Sequence, residues 1–280
     1  MTLDRHSPEA STEHETDIAR RALAVNQANL ALGHETFVAD GATFVRDRDV
    51  PRIYDANHVA NITASTPDEI ERLLARVEAE FAHCTHRSFH TDFTTTPAFE
   101  ARLHLDGYRS TESLVMLLEG SPGGAPPACD IRPIDGDAAW DAFFALNALD
   151  WSEHAARLGV SGDASVGVDL ARTQMRKSPP VRYWLAYADG EARGYFNSWE
   201  GIDGVGQVEN LFVQTEYRHR GLATALIHHC VADARAHGAP SGRRRPVVIV
   251  ADASDTPKQM YAAMGFRPVA IKREYLKVLQ

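Results

Sequence analysis

One stretch of the chain carries its clearest structural pattern: VENLFVQTEYRHRGLATALI, residues Val208–Ile227. Its apolar start predicts a strand, and its small and apolar end predicts a helix. The turn between them has the pattern Arg218-x-x-Gly221-x-Ala223. Free backbone N–H groups at a helix start, with the helix dipole behind them, attract anions. Gly221 and Ala223 let an anion approach the backbone, and Arg218 and Arg220 add positive charge. The pattern therefore predicts a diphosphate site.

The surrounding segments predict an α/β fold in which helices cover both faces of a mixed sheet. A Gly/Pro-rich linker over residues 121–130 divides the chain. Turns are predicted at Asp189-Gly190 and over residues 201–206. The elements predicted after the linker are helices Asp137–Leu149 and Ala164–Arg176, strands Val181–Tyr187, Ala192–Glu200 and Gln207–Val213, helix Gly221–Gly238, strand Pro246–Ala251, helix Pro257–Met264 and strand Pro268–Leu279.

The first half of the chain repeats the end of this series. Thr66-Pro-Asp-Glu69 forms a capping box with proline at the first helical position, and it predicts a helix to about Phe81. A strand over Thr85–Phe93, a helix over Pro97–Leu105 and a strand over Ser110–Leu118 follow. The order predicts an internal duplication, with residues 1–120 and 131–280 as the two copies.

Two motifs then point to a family. The turn at Arg218–Ala223 resembles motif A of the GNAT acetyltransferase superfamily, whose signature is Arg/Gln-x-x-Gly-x-Gly/Ala. Met260-Tyr261-Ala-Ala-Met-Gly265-Phe266 resembles motif B of that family, a Tyr four residues before Gly-Phe. The strand Val247–Val250 lies between them, as in the family. The resemblance covers about Ile131–Gln280 and implies tandem GNAT-like domains, of which the C-terminal one is intact and the N-terminal one is degenerate.

The resemblance also implies acetyl-CoA as a co-substrate and no metal. The strand ending in Leu211, Phe212 and Val213 is expected to separate from its neighbour and to bind the pantetheine arm. Ser254, where the family usually has Asn, is expected to contact the same arm. The turn and helix start are expected to hold the pyrophosphate through Arg218, His219, Arg220, Gly221, Leu222, Ala223 and Thr224.

Transfer to an amine needs a group that accepts a proton and a group that donates one to the leaving thiolate. In the family, the Tyr of motif B is the usual acid, here Tyr261. Relatives place a base on the strand before the turn, where Gln207 and Glu209 share one face. Gln207 cannot accept a proton. Glu209 can act as the base, directly or through a water, or it can serve as a structural carboxylate or an anchor for the amine.

The acceptor site is expected between the first two helices and the strand Gly194–Glu200. Trp151 and His154, in a segment interpreted as a loop, are candidate lining residues, as are Asn197 and Trp199; Tyr183 and Glu200 are further candidates. The first half lacks the cofactor turn, because Ile62–Pro67 contains neither Gly nor Arg, and Leu103 stands where Tyr261 is expected. We therefore expect the first half to bind no CoA and to shape the acceptor cleft.

Composition limits the partners. The net charge is −9, and all of the excess acid lies before residue 121. This argues against nucleic acid, which needs a basic face. No apolar stretch is long enough to span a membrane, and the N-terminus has no signal-peptide core, so we expect a cytoplasmic protein. The three cysteines fit neither a disulfide framework nor a zinc site. A homo-oligomer is neither favoured nor excluded.

The leading hypothesis is an N-acetyltransferase acting by direct transfer in a ternary complex. A second hypothesis is a non-catalytic acyl-CoA sensor or interaction module, against which Tyr261 and Glu209 argue. A third keeps the enzyme but gives it a longer acyl donor. The acceptor stays open among small-molecule amines, amino acids and peptides.

Overall fold

The computed structural model describes residues 8–159, 162–237 and 244–279. Within these ranges the chain forms seven α-helices and eleven strands. The helices are α1 (Pro8–Ala31), α2 (Pro67–Glu80), α3 (Pro97–Leu105), α4 (Asp137–Leu158), α5 (Ala164–Arg176), α6 (Leu222–Ala236) and α7 (Pro257–Ala263). The strands are β1 (Glu35–Ala39), β2 (Ala42–Arg46), β3 (His58–Ala60), β4 (His86–Thr91), β5 (Arg109–Leu118), β6 (Asp130–Pro133), β7 (Arg182–Ala188), β8 (Glu191–Ile202), β9 (Val205–Val213), β10 (Val247–Asp252) and β11 (Arg267–Val278).

All of these strands join one sheet in the order β1-β2-β3-β4-β11-β5-β10-β9-β8-β7-β6. The pairs β3–β4 and β9–β10 are parallel, and the remaining described pairs are antiparallel. The sheet is therefore mixed, as the sequence predicted. The order β3-α2-β4-α3-β5 in the first half repeats the order β9-α6-β10-α7-β11 in the second.

The two halves exchange their last strands. Strand β11 lies between β4 and β5, and β5 lies between β11 and β10. Tyr275 of β11 packs in the first half's core with Phe89. Leu117 of β5 packs in the second half's core with Phe143 and Tyr195. The hydrophobic core of each half is thus completed by a strand from the other half.

Helix α1 strengthens this connection. Its residues Ile18, Ala22 and Val25 are buried in the same cluster as Phe143 and Tyr195 of the second half. Their spacing of four and three places them on one face of the helix. The sequence interpretation did not identify this helix, because polar and charged residues surround these few apolar positions.

Helix α4 is longer than predicted. It continues past Leu149 to Leu158, so the segment Asp150–His154, interpreted as a loop, is helical. No Gly or Pro interrupts this segment. The helix ends at Gly159, which has a left-handed φ of 66° and whose N–H group donates to the carbonyls of Ala155 and Ala156. Trp151 and His154 are consequently held on a rigid element.

The turn predicted over residues 201–206 is shorter in the structure. Strand β8 extends to Ile202 and β9 begins at Val205, so only Asp203 and Gly204 connect them. Both have positive φ, 49° and 73°, which suits a two-residue hairpin turn. The predicted hairpin at Asp189-Gly190 has the same character, with φ of 53° and 81°. The predicted helix end at Gly238 lies outside the described residues.

Residues 120–129 contain no helix or strand, which fits the predicted linker. The division of the chain into segments 1–120 and 131–280 stays a prediction, since the exchanged strands place parts of each segment in the core of the other. Over the described ranges, no helix combines the length and apolar character needed to cross a bilayer.

We expect Leu117→Ala to destabilise the second half although Leu117 belongs to the first. Leu117 is fully buried, and deleting such a side chain costs about 2–5 kcal/mol. All four tryptophans lie after residue 139, so tryptophan fluorescence during urea unfolding reports on the second half.

Leu105→Ala is the matched control, because Leu105 also lies in the first half but is 82% exposed. An unchanged fluorescence midpoint in Leu117→Ala would show that the stability of the second half does not depend on this side chain and would contradict the prediction.

Candidate functional site

The site begins where two parallel strands separate. Strands β9 and β10 pair only at Gly206–Val247 and Gln207–Val248, and Gly206 N–H donates to the Pro246 carbonyl over 2.9 Å. Beyond these residues the strands have no described register, as the sequence resemblance implied. Residues of the two strands beyond this pairing line two cavities.

We call the first opening the loop cavity. Its volume is about 640 Å³. The residues around it come from α4, the end of β9, the following turn, the first turn of α6, and α7 with the loop before it. The lining residues are Asp150, Arg157, Leu211, Phe212, Val213, Tyr217, Arg218, His219, Gly221, Leu222, Ala223, Thr224, Asp255, Thr256, Pro257, Met260 and Tyr261.

The turn into α6 has the shape that an anion site needs. Gly221 precedes the helix with φ of 89°, and a Cβ there would meet Pro127 of the linker at 3.0–3.1 Å. No side chain caps this helix start, so the first N–H groups of α6 face the cavity without a side-chain acceptor. A phosphate can therefore accept from these groups and meet the positive end of the helix dipole.

Two arginines act differently around this turn. Arg218 donates from Nε to the Val213 carbonyl over 2.9 Å and pairs with Glu153 of α4, which fixes the turn against the end of β9. Arg220 lies over the Tyr217 ring, 4.7 Å from its centroid, and does not line the cavity. Arg218 thus shapes the site directly, whereas Arg220 contributes charge from its edge.

Tyr261 lies on α7 and lines the loop cavity. Only 5% of the residue is exposed. Burial raises the pKa of Tyr261 above its ordinary value, and the charges of Glu209 and Asp255 raise it further. The phenol therefore keeps its proton throughout the physiological range and is suited to donate rather than accept.

We call the second opening the inner cavity; its volume is about 470 Å³. It contains Glu209, which the loop cavity does not. Charged and polar groups from both halves of the chain surround it. The lining residues are Asn26, Asn29, Leu30, His34, Asp55, Ala56, Ser113, Asn147, Asp150, Trp151, His154, Leu170, Thr173, Gln174, Lys177, Tyr195, Glu209, Asn210, Val250, Asp252, Lys272 and Glu274.

Glu209 is held in place and tuned by its neighbours. Gln207 donates from Nε2 to a Glu209 carboxylate oxygen over 3.1 Å, so this predicted catalytic residue positions Glu209. Burial raises the pKa of Glu209 to about 7, while Gln207, the Lys272 ammonium and two backbone N–H groups limit the rise. Asn210, with φ of 61°, forms a bulge after Glu209. The carboxyl group can therefore take up and release a proton near neutral pH.

Asp150 connects the two cavities, since it lines both. It accepts a hydrogen bond from the buried Tyr195 hydroxyl over 2.7 Å. Burial raises the pKa of Asp150. The sequence interpretation passed over Asp150 because it assigned the residue to a loop. Its position four before His154 on a helix is the signal that would have placed it on the cavity face.

The structure divides the predicted acceptor residues. Trp151 and His154 line the inner cavity, with ring centroids 5.9 Å apart. Asn197 and Trp199 are buried and line neither described cavity. Trp199 belongs to the second half's core instead.

The other candidates lie away from the cavities. Tyr183 packs in the core, and Glu200 pairs with Arg182 over 3.0 Å. Ser254 lines neither cavity. Its N–H group and its hydroxyl both donate to Asp252 over 2.7 Å. Its expected contact with the cofactor arm stays a prediction.

The sequence interpretation did not identify most residues of the inner cavity. They come from segments far apart in the sequence, namely α1, the loop before β3, α5 and β11. Three of its neighbours, Asp55, His90 and Glu274, bring one potential metal-ligand atom each within 4.8 Å of one another. The expectation of a metal-free site stays a prediction.

A comparison with family models matches residues 141–266 to the acetyltransferase (GNAT) family. The match covers the separated strands, the turn into α6 and α7. The C-terminal half carries a GNAT acetyltransferase domain. A search of curated proteins found no significant match.

Solved structures share the fold over most of the chain. A conserved protein of unknown function from Staphylococcus epidermidis is 16% identical, with a TM-score of 0.66 over 88% of this chain and 95% of that one. A GCN5-related N-acetyltransferase from Kribbella flavida is 18% identical, with a TM-score of 0.63 over 92% and 95%. A tandem GNAT protein from the clavulanic acid pathway is 14% identical, with a TM-score of 0.53 over 79% and 74%. The fold is thus a tandem GNAT arrangement.

The start of α2 in the first half differs from the start of α6 in the hydrogen bonds of its first N–H groups. At the start of α2, Thr66 accepts from the Glu69 N–H, and the Glu69 carboxylate accepts from the N–H groups of Ser65 and Thr66. These hydrogen bonds lower the pKa of Glu69 to about 2. The first N–H groups of α2 therefore have a side-chain acceptor, and a negative charge is held at this helix start, in contrast to the start of α6.

We expect Gly221→Ala to weaken CoA binding roughly tenfold. A left-handed conformation costs a residue with a Cβ about 1–2 kcal/mol, and here the Cβ also meets Pro127. Relief of this strain displaces the N–H groups of the turn. Calorimetric titration with CoA measures the effect.

Gly124→Ala is the matched control, since Gly124 also has positive φ, 77°, but an added Cβ meets nothing within 4 Å. Equal CoA affinity in the two variants would count against a phosphate site at this turn.

Proposed function

We propose that the protein is an N-acetyltransferase that moves acetyl from acetyl-CoA to a primary amine. The single observation that carries the proposal is that Glu209 lines the inner cavity and Tyr261 the loop cavity, close enough for the charge of Glu209 to act on Tyr261. One group titrates near neutral pH, and the other stays protonated. A general base and a general acid need these opposite properties.

Acetyl-CoA is proposed to occupy the loop cavity. The turn from Arg218 to Thr224 would hold the pyrophosphate, and the freed backbone of Leu211, Phe212 and Val213 would bind the pantetheine arm. The acceptor would enter from the inner cavity, with Trp151 and His154 on its wall. The two substrates then meet at Asp150 and the gap between the strands.

The transfer is a direct displacement. The amine nitrogen attacks the thioester carbonyl carbon, and the resulting oxyanion is stabilised by strand N–H groups near Phe212 and Val213. Glu209 accepts the proton that the amine loses, directly or through a water. The C–S bond breaks, Tyr261 donates its proton to the thiolate, and solvent restores that proton.

Two alternatives remain as outcomes of the test. A module that binds acyl-CoA without transferring the acyl group would bind CoA and acetylate nothing. A transferase with a longer acyl donor would fit the 640 Å³ volume of the loop cavity equally well. Free-thiol release with acetyl-CoA and longer acyl-CoA donors, against a panel of polyamines, amino acids, arylalkyl amines and peptides, separates all three. Cofactor binding is measured in the same samples.

We expect Tyr261→Phe to lower kcat by about 10²–10⁴ while CoA affinity changes little, because the phenol ring keeps its packing and only the proton donor is lost. Steady-state kinetics and CoA calorimetry measure the two effects. Tyr187→Phe, a phenol on β7 outside both cavities, serves as the control. Wild-type turnover in Tyr261→Phe would remove this residue from the mechanism.

We expect kcat/KM to rise with pH through about 7, because Glu209 acts as a base only in its ionised form, which predominates above its pKa. An acceptor whose amine is already neutral at pH 6 isolates this group. Glu209→Gln should lack the rise and lower kcat/KM by about 10²–10⁴.

Glu191→Gln, at an exposed hairpin, should keep the wild-type profile. A rise that persists in Glu209→Gln would assign the titration to another group.

A further inference from the structure

Four lysines occur in the chain, and two of them, Lys177 and Lys272, line the inner cavity. Lys177 is only 8% exposed. Among the described residues, neither lysine forms an ion pair; each has one hydrogen bond, to an amide oxygen. A buried ammonium group without a charged partner costs free energy. The buried Lys177 therefore calls for a ligand that supplies negative charge, and the partly exposed Lys272 lines the same cavity.

The lysines are held by one face of α1. Asn29 Oδ1 accepts from Lys177 over 3.2 Å, and Asn26 Oδ1 accepts from Lys272 over 3.3 Å. The asparagines lie three residues apart and are 2% and 3% exposed, so the helix presents them together. Each ammonium has three N–H donors, of which two remain after the bond to asparagine.

Asn29 adds a further donor. Because an ammonium group only donates, the oxygen of Asn29 must face Lys177, and this fixes its Nδ2 group on the other side. That Nδ2 atom is buried and has no hydrogen-bond partner. Three side chains thus offer unused N–H groups to one cavity. A carboxylate, with two oxygens and about four acceptor positions, matches them.

The acids of the cavity do not satisfy these donors. Asp150 accepts from Tyr195, and Asp252 accepts from Ser254. Glu209 and Glu274 are buried carboxyls whose pKa values are raised to about 7, so each is partly neutral at physiological pH. The negative charges of Asp55 and Glu209 act on Lys177, but neither acid forms an ion pair with it.

We propose that the acceptor is a compact amino carboxylate whose carboxylate binds Lys177, Lys272 and Asn29 while its amine faces Glu209. The proposal rests on the acetyltransferase function proposed above and names its substrate class. Since Asn29 comes from α1 and Lys272 from the exchanged strand β11, the first half and the strand exchange would both contribute to recognising the acceptor.

The test compares acetylation of amino acids with that of their carboxamides, which keep the amine and lose the negative charge. We expect the wild type to favour the amino acid by about tenfold to a hundredfold in kcat/KM. In Lys177→Met and Lys272→Met this preference should fall at least tenfold. The preference is the readout because Lys272 also acts on Glu209, so its loss affects every acceptor. Lys272 is partly exposed and keeps the test available if Lys177→Met does not fold.

Lys277→Met is the control. Lys277 lies on the same strand, donates to the Asp106 carbonyl and faces neither cavity, so its variant should keep the wild-type preference. A dipeptide and an aminoalkylphosphonate distinguish a free amino acid from a peptide terminus and from a phosphonate-like anion. Equal rates with amino acids and carboxamides, or a preference that survives both lysine variants, would overturn the proposal.

A direct binding measurement separates this proposal from the proposed enzyme activity. If CoA binds but no amine is acetylated, the acetyltransferase function fails. Calorimetric titration of the CoA-loaded protein with the amino acids then tests the carboxylate site alone. Binding that weakens at least tenfold in Lys177→Met or Lys272→Met supports the site, and absence of binding to the wild type overturns it.

Discussion

Strand β11 forms hydrogen bonds with β4 on one side and with β5 on the other, and this placement holds the two halves of the chain in one sheet. Strand β5 in turn pairs with β10, so β11 and β5 together connect β4 of the first half to β10 of the second. The exchange also determines the chemistry of the inner cavity, since Lys272 and Glu274 reach it only because β11 crosses the middle of the sheet. The site therefore depends on a contact between segments more than 150 residues apart.

The separation of β9 from β10 produces two environments a few residues apart. On the loop side, backbone N–H groups and the helix dipole favour a polyanion. On the inner side, burial and mixed charges bring the pKa of Glu209 close to neutrality. Asp150 belongs to both. Residues of β9 therefore take part in both environments, with Leu211, Phe212 and Val213 at the loop cavity and Glu209 at the inner cavity.

Local patterns in the sequence were enough to predict the elements that begin or end with strong signals. The capping box at Thr66, the Asp189-Gly190 hairpin and the glycine turn before α6 each fix their own backbone conformation. Helix α1 and strands β1–β3 were missed: the helix has a narrow apolar face, and the strands are only three to five residues long. The Asp40-Gly41 turn, with φ of 47° and 76°, was the available signal for the hairpin of β1 and β2.

The residues of the loop cavity could be predicted from local sequence patterns, whereas most residues of the inner cavity could not. The loop cavity is built from residues close in sequence, and ten of the predicted residues line it. The inner cavity depends on packing between α1, α5 and β11, which no local pattern encodes. An asparagine on a helix rich in polar residues is expected to face solvent, and the sequence does not show that the fold buries Asn26 and Asn29 against lysines.

The first half of the chain also contributes to the candidate site. Its helix α2 begins with a capping box that includes Glu69, whereas no side chain caps the start of α6 in the second half. Helix α1 of the first half packs against β9 and β10. Asn26 and Asn29 of this helix form a wall of the inner cavity, and Ile18, Ala22 and Val25 anchor the helix in the second half's core.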